Sequence, residues 1–139
     1  MKRSEQGFSL IELLIVVLVI SIIASVAIPY LQKALRIAEN GNTFATLRTI
    51  SNQEVAFYGS NNRFARLTEV NNIMSGSLGT PSGNDIMRGK FTISMSPAAP
   101  TDAELRNGYT ITATRNVSSE GVIYIYQVTQ SGELTQILP

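Results

Sequence analysis

Residues 7–30, Gly7-Phe8-Ser9-Leu10-Ile11-Glu12-Leu13-Leu14-Ile15-Val16-Val17-Leu18-Val19-Ile20-Ser21-Ile22-Ile23-Ala24-Ser25-Val26-Ala27-Ile28-Pro29-Tyr30, decide how this chain is read. From Leu13 to Ile28 sixteen residues pass without a charge, interrupted only by Ser21 and Ser25. Phe8 to Tyr30 makes twenty-three residues, and a helix rising about 1.5 Å per residue carries that length across a ~30 Å hydrocarbon core. The segment predicts a transmembrane helix. A secretory signal peptide is the competing assignment, with Ala24-Ser25-Val26-Ala27 imitating a cleavage site. Such peptides have a shorter apolar core, and here the helical pattern continues past the run.

Downstream, Lys33, Arg36, Glu39 and Arg48 punctuate a stretch in which Leu31, Leu35, Ala38, Ala45, Leu47 and Ile50 recur at roughly helical spacing up to Tyr58. The helix therefore turns from apolar to amphipathic. Pro29, which lacks an amide donor, and Gly41 are its two weak points. The amphipathic half is expected to pack on a domain and the apolar half to protrude from it.

Glu12 is the anomaly in the apolar half. One reading places its carboxylate in interfacial water near the end of a membrane helix. The other assigns it a cationic partner, because an ionisable group inside an apolar segment costs ~2–3 kcal/mol or more. No base follows it until Lys33. On its N-terminal side, Lys2-Arg3-Ser4-Glu5-Gln6-Gly7 is a short polar leader, and a cut after Gly7 creates an α-amine four residues from Glu12.

The run from Gly7 to Val17, with Ala27-Ile28-Pro29 beyond it, resembles the type IV pilin signature. The likeness is close over about the first thirty residues and looser over the long-helix-then-strands layout of the rest. It implies that a prepilin peptidase/methyltransferase cleaves between Gly7 and Phe8 and methylates the new Phe8 amine. It implies that Glu12 registers subunits during assembly, and that the helix loosens at Pro29 in the fibre. The implied partners are further copies of this chain in a helical homopolymer, the inner-membrane pilus assembly machinery, and the membrane that stores the precursor. The implied destination is an extracellular pilus, or a periplasmic pseudopilus if the chain is a pseudopilin of a type II secretion system; a minor pilin is a further alternative. Two departures stand out: Glu5-Gln6 lies beside Gly7 where many relatives carry a base, and the disulfide that closes the C-terminal loop of many pilins is impossible without cysteine.

After Tyr58 the composition shifts to Gly, Asn, Ser and Thr. Gly59-Ser60-Asn61-Asn62 ends the helix, Thr68 is placed as the cap of a short helical piece from Glu69 to Met74, and Gly76 to Gly89 and Pro97 to Asn107 read as loops. Phe91 to Met95 and Tyr109 to Ala113 alternate as half-buried strands, with Phe91, Ile93, Tyr109 and Ile111 toward the core. Val122 to Val128 is apolar on both faces and reads as a central strand; Leu134 to Leu138 is an edge strand after the Ser131-Gly132 turn. The helical residues Val55 and Phe57 or Tyr58 are expected against Ile111 and the Val122 to Val128 strand, with Ile111 and Ile125 as the residues whose truncation tests it. The fold class is α+β: leader 1–7, long helix 8–58 with its membrane and assembly segment 8–30, and a globular part 59–139 with a connecting αβ loop 59–90 and an antiparallel sheet of three to four strands.

Composition narrows the function classes. Histidine and cysteine are both absent, which removes the commonest general base and metal ligand and every thiolate site. No nucleophile and base pair suggests an enzyme, and no cofactor is implied. A formal charge of +1 offers no basic excess for nucleic acid. Asp85, Asp102, Glu104 and Glu120 are the acidic residues weighed for a metal, but their spacing lacks the pattern of a calcium loop. Gly76-Ser77-Leu78-Gly79 lacks the Lys-Ser/Thr of a P-loop. A monomeric membrane-anchored binding module, with Asn61 to Arg66 and the Gly76 to Gly89 stretch as its ligand surface, is the alternative from another class.

Overall fold

A computed structural model describes residues 7–139, so of the leader only Gly7 is among the described residues and the residues before it lie outside them. The chain comprises two units, Met1–Asn40 and Gly41–Pro139. The long helix α1 (Leu10–Asn61) contributes residues to both and is continuous through Pro29 and Gly41. In the first unit every described large apolar residue of the run, from Leu10 to Ile37, is exposed. A helix suits such a stretch because it satisfies each amide and carbonyl internally, which an apolar surrounding requires. The two serine hydroxyls are satisfied in the same way: Ser21 donates to the Leu18 carbonyl at 2.8 Å and Ser25 to the Ile22 carbonyl at 2.7 Å.

In the second unit α1 buries Thr43, Thr46, Leu47, Ile50, Ser51 and Glu54, a stripe at three- and four-residue spacing. The sequence pattern had placed Ala45 and Val55 on this face, yet both are exposed. Polar residues take their places, and the buried Thr46 hydroxyl removes its own penalty by donating to the Asn42 carbonyl at 2.9 Å. The helix ends where Asn62 turns to a positive φ of 54°, and Asn62 donates its amide to the Tyr58 carbonyl.

Helix α2 (Leu67–Ile73) follows, begun by Arg66 rather than at Thr68; Glu69 accepts the Arg66 amide at 2.8 Å. Six strands then form one antiparallel sheet in sequence order: β1 (Thr80–Ser82), β2 (Asp85–Arg88), β3 (Phe91–Ser96), β4 (Thr110–Val117), β5 (Val122–Thr129) and β6 (Leu134–Leu138). Between β3 and β4, Asp102–Asn107 forms helix α3, capped by Thr101. The fold class is the expected α+β, but the sheet has six strands in place of the expected three to four, for which two local corrections account in part. The Gly76 to Gly89 stretch is not a loop, since β1 and β2 lie within it, and the Pro97 to Asn107 connection contains a helix. Both unexpected hairpins use two-residue turns opened by glycine, Gly83-Asn84 and Gly89-Lys90, with φ of 64° and 58°. The left-handed first residue matches the twist of paired strands.

Ile86, Ile93, Ile111 and Val128 pack with Leu47, Ile50 and Val70 into one core, with no exposed surface on any of the seven. Along β5 the inward side chains are Tyr126 and Val128, whereas Ile125, expected in the core, is only half-buried and sits between Thr114 and Leu138 in the sheet register. The alternation of a strand allows only one parity inward, and a strand apolar on both faces does not announce which.

Candidate functional site

The residues singled out for processing and assembly are Gly7, Phe8, Glu12 and Pro29. Gly7 and Phe8 precede α1, and Phe8 is 83% exposed. Glu12 stands in the first turn of the helix. Its Oε2 accepts the Ser9 amide at 3.1 Å, and the Leu13 amide donates to the Ser9 carbonyl at 3.2 Å. Ser9 is therefore the residue at which the helix begins, and Glu12 is the glutamate three positions on that reaches back to it, as in a capping box. A negative charge at this end also meets the partial positive charge of the unpaired helix amides. This local role was not drawn from the sequence, although Ser9-x-x-Glu12 ahead of an apolar run is its signal.

Pro29 lies inside α1 with the helix intact on either side. Its missing N–H deprives the Ser25 carbonyl of the usual donor four residues on. The Ser25 hydroxyl, pointing back to Ile22, does not replace that donor. Pro29 is thus the one position of the apolar run at which the backbone ladder lacks a rung.

The arginines of the stretches considered for a bound ligand are engaged within the chain. Arg63 makes a two-pronged pair with Glu69, at 2.9 and 2.7 Å, and lies 5.1 Å over the Phe57 ring. This pair, helped by the Arg66 amide, holds the Glu69 carboxyl down at about 2. Arg66 reaches Asp102 at 2.6 Å. In the other stretch, Arg88 donates to the Ser77 and Leu78 carbonyls at 2.6 and 3.1 Å, stitching α2's exit to β2. Of the acidic candidates for a metal, Asp102 serves Arg66, Glu104 caps α3 through Thr101, Asp85 lies in β2 and Glu120 in the β4–β5 turn. Among the described residues no three metal-binding side chains converge.

Against this geometry, a family model described as the prokaryotic N-terminal methylation motif matches residues 2–28. The chain carries the type IV prepilin signature. The matched residues take in the polar N-terminal stretch, Gly7 and Phe8, the Ser9–Glu12 turn and the apolar helix almost to Pro29. Comparison with curated proteins and with solved structures returns no match. The motif marks a prepilin of pilin-like or pseudopilin-like type, implies processing by a prepilin peptidase, and points to a structural protein. For a prepilin, the open apolar helix fits a membrane-anchored precursor. The 3.1 Å Ser9–Glu12 cap lies inside the matched residues.

Proposed function

We propose that this prepilin is a structural subunit of a type IV pilus, cut between Gly7 and Phe8, methylated on the Phe8 amine and polymerised into a helical fibre. The observation that supports this best is a helix whose large apolar side chains from Leu10 to Ile37 are all open, with a single carboxylate at its start. Such a surface needs apolar surroundings twice over: the inner membrane before assembly, and the same helix of other copies afterwards. In this reading residues 1–7 are the leader, 8–30 the membrane and assembly segment of the helix 8–58, and 59–139 the domain. Loss of the leader removes Lys2, Arg3 and Glu5 and leaves nine bases and nine acids, a balance under which neighbouring subunits do not repel. The new Phe8 amine supplies the cation for Glu12, in the same subunit or its neighbour. Pro29 marks where the helix lengthens when subunits pack.

The experiment is N-terminal mass spectrometry of the protein from its own cells, combined with immunogold microscopy using antibody to residues 59–139. Fibres labelled along their length, with chains beginning at methylated Phe8, are the expected result. Chains beginning at Phe8 without surface fibres would make the protein a pseudopilin or minor pilin, and chains beginning at Met1 would end the pilin reading.

A further inference from the structure

Glu54 is the one acidic side chain of the second unit with no exposed surface. Its Oε2 accepts the Ala65 amide at 2.6 Å, across the reversal from α1 into α2. Its Oε1 is buried without a hydrogen-bond partner. The segment held in this way is otherwise fastened by the Phe64 amide on the Leu105 carbonyl at 2.9 Å and by the Phe64 ring, 4.7 Å from Tyr58 and 4.8 Å from Tyr109.

We propose that Glu54 and Ala65 form a proton-operated latch, closed when Glu54 is a neutral acid and loosened when it ionises, by which the segment between α1 and α2 tightens on the domain under mild acid. The inference stands apart from the pilus reading and holds for this domain in any assembly. Its basis is the donor inventory around the carboxyl group. An ionised carboxylate here has one good donor, the Ala65 amide, and one bare oxygen in a dry site, a costly combination. A neutral acid keeps the Ala65 amide on its carbonyl oxygen and leaves an uncharged O–H, rather than a bare charge, in the dry site beside the Tyr109 hydroxyl, which is itself buried without a partner, and an unpaired neutral group costs far less there than an unpaired charge.

The charged and titratable groups around Glu54 come from four places, three acting on it directly and one through Arg63. Arg63, on the latched segment, is the nearest cation, but both prongs of its guanidinium are spent on Glu69. Glu69, on α2, is ionised and repels a charge on Glu54. Tyr109, at the entry to β4, is held neutral by its own burial. Asp102, on α3, lies 3.5 Å from Arg63 and takes a further share of its charge. Burial first, then Glu69, pushes the Glu54 carboxyl up to about 7, against the opposing pull of the Ala65 amide and Arg63.

The test is made on the full chain in detergent micelles with carbon-13 in the glutamate side chains. The Glu54 carboxyl resonance, assigned through bonds from its own amide, is followed with pH, together with the hydrogen-exchange protection factor of the Ala65 amide. A carboxyl moving from 4.5 to about 7 on closing predicts that Ala65 protection, corrected for intrinsic exchange, falls about 25-fold between about pH 5.5 and 8. In Glu54→Gln, which keeps an acceptor for Ala65 and supplies a permanent donor, protection stays level across that range. Titration of Glu54 in the ordinary carboxylate range with level Ala65 protection overturns the latch. A Glu54→Gln chain that loses protection as steeply as wild type also overturns it, by showing that the proton binds elsewhere. If Glu54→Gln does not fold, the wild-type resonance and protection factor decide the matter by themselves.

Discussion

The Glu12 carboxylate closes the first turn of the long helix by accepting the Ser9 amide at 3.1 Å, so its two possible duties, capping and charge pairing, meet in one side chain. Glu12→Gln separates them, because glutamine at this position still reaches back to the cap amide. Membrane levels of Glu12→Gln should equal or exceed wild type, since loss of a charge eases insertion, and cleavage after Gly7 should be normal. Fibres should be few, because the Phe8 amine would enter the apolar fibre core unpaired, and breaking one side of a buried pair costs about 3–5 kcal/mol. Fibre counts per cell, normalised to mature protein in the membrane, give the answer; wild-type counts would leave Glu12 as a cap alone.

Processing provides the second prediction. Among the described residues nothing lies near the position a side chain on Gly7 would take, so Gly7→Val leaves their packing undisturbed. Any loss of cleavage then reports the peptidase subsite rather than misfolding. Precursor should accumulate in the membrane, seen by mass as a chain starting at Met1, and normal maturation would remove Gly7 from the processing site.

In the sheet, Ile111 and Ile125 make a contrasting pair. Ile111 is fully buried in β4, whereas Ile125 faces the other side of β5. Ile111→Ala should cost about 2–5 kcal/mol of domain stability by leaving a cavity, and Ile125→Ala about 1 kcal/mol or less. Urea denaturation of the full chain in micelles, followed by tyrosine signals, measures both. Equal losses would contradict the strand parity.

The sequence made some of this architecture plain and concealed the rest for identifiable reasons. Phe91, Ile93, Tyr109 and Ile111 alternate with polar residues, and all four are buried as that pattern requires. The β1–β2 pair escaped because Thr80-Pro81-Ser82 and Asp85-Ile86-Met87-Arg88 are too short and polar to show alternation, and because proline argues against a strand anywhere but an edge, where β1 lies. The informative letters there were Gly83-Asn84, a two-residue hairpin turn. Gly79 likewise reads as a loop glycine but is a close-approach position, where a Cβ would run into the Met87 carbonyl. At the candidate site, Gly7, Phe8, Glu12 and Pro29 stand in the sequence as a fixed register, while the Ser9 cap is hidden because an apolar run makes Glu12 read as a membrane charge. Glu54 could not be singled out at all: on a helix strewn with polar residues, nothing local marks the one carboxylate that the α1–α2 reversal will cover.

The remaining prediction sets two carboxylates of one domain against each other. Glu69, paired with Arg63, has its carboxyl lowered to about 2, so its contribution is present above the unfolded value of 4.5 and is lost as pH falls toward 2. Because the pair is partly exposed, solvent screening holds that contribution to about 1 kcal/mol. Glu54 has the opposite sign. With its carboxyl raised to about 7, its contribution is full below 4.5 and is lost as pH rises through 7, a change on the order of 3 kcal/mol. Stability should therefore peak near about pH 4.5 and decline more steeply on the alkaline side than on the acid side. Glu54→Gln should flatten the alkaline limb and spare the acid one, while Glu69→Gln should lower stability at about pH 6 and make no difference at about pH 2. Urea midpoints taken every half unit of pH on the full chain in micelles resolve both limbs. A wild-type curve rising from pH 5 to 8 would mean that Glu54 is stabilised as a charge, and the assignment of its sign would be wrong.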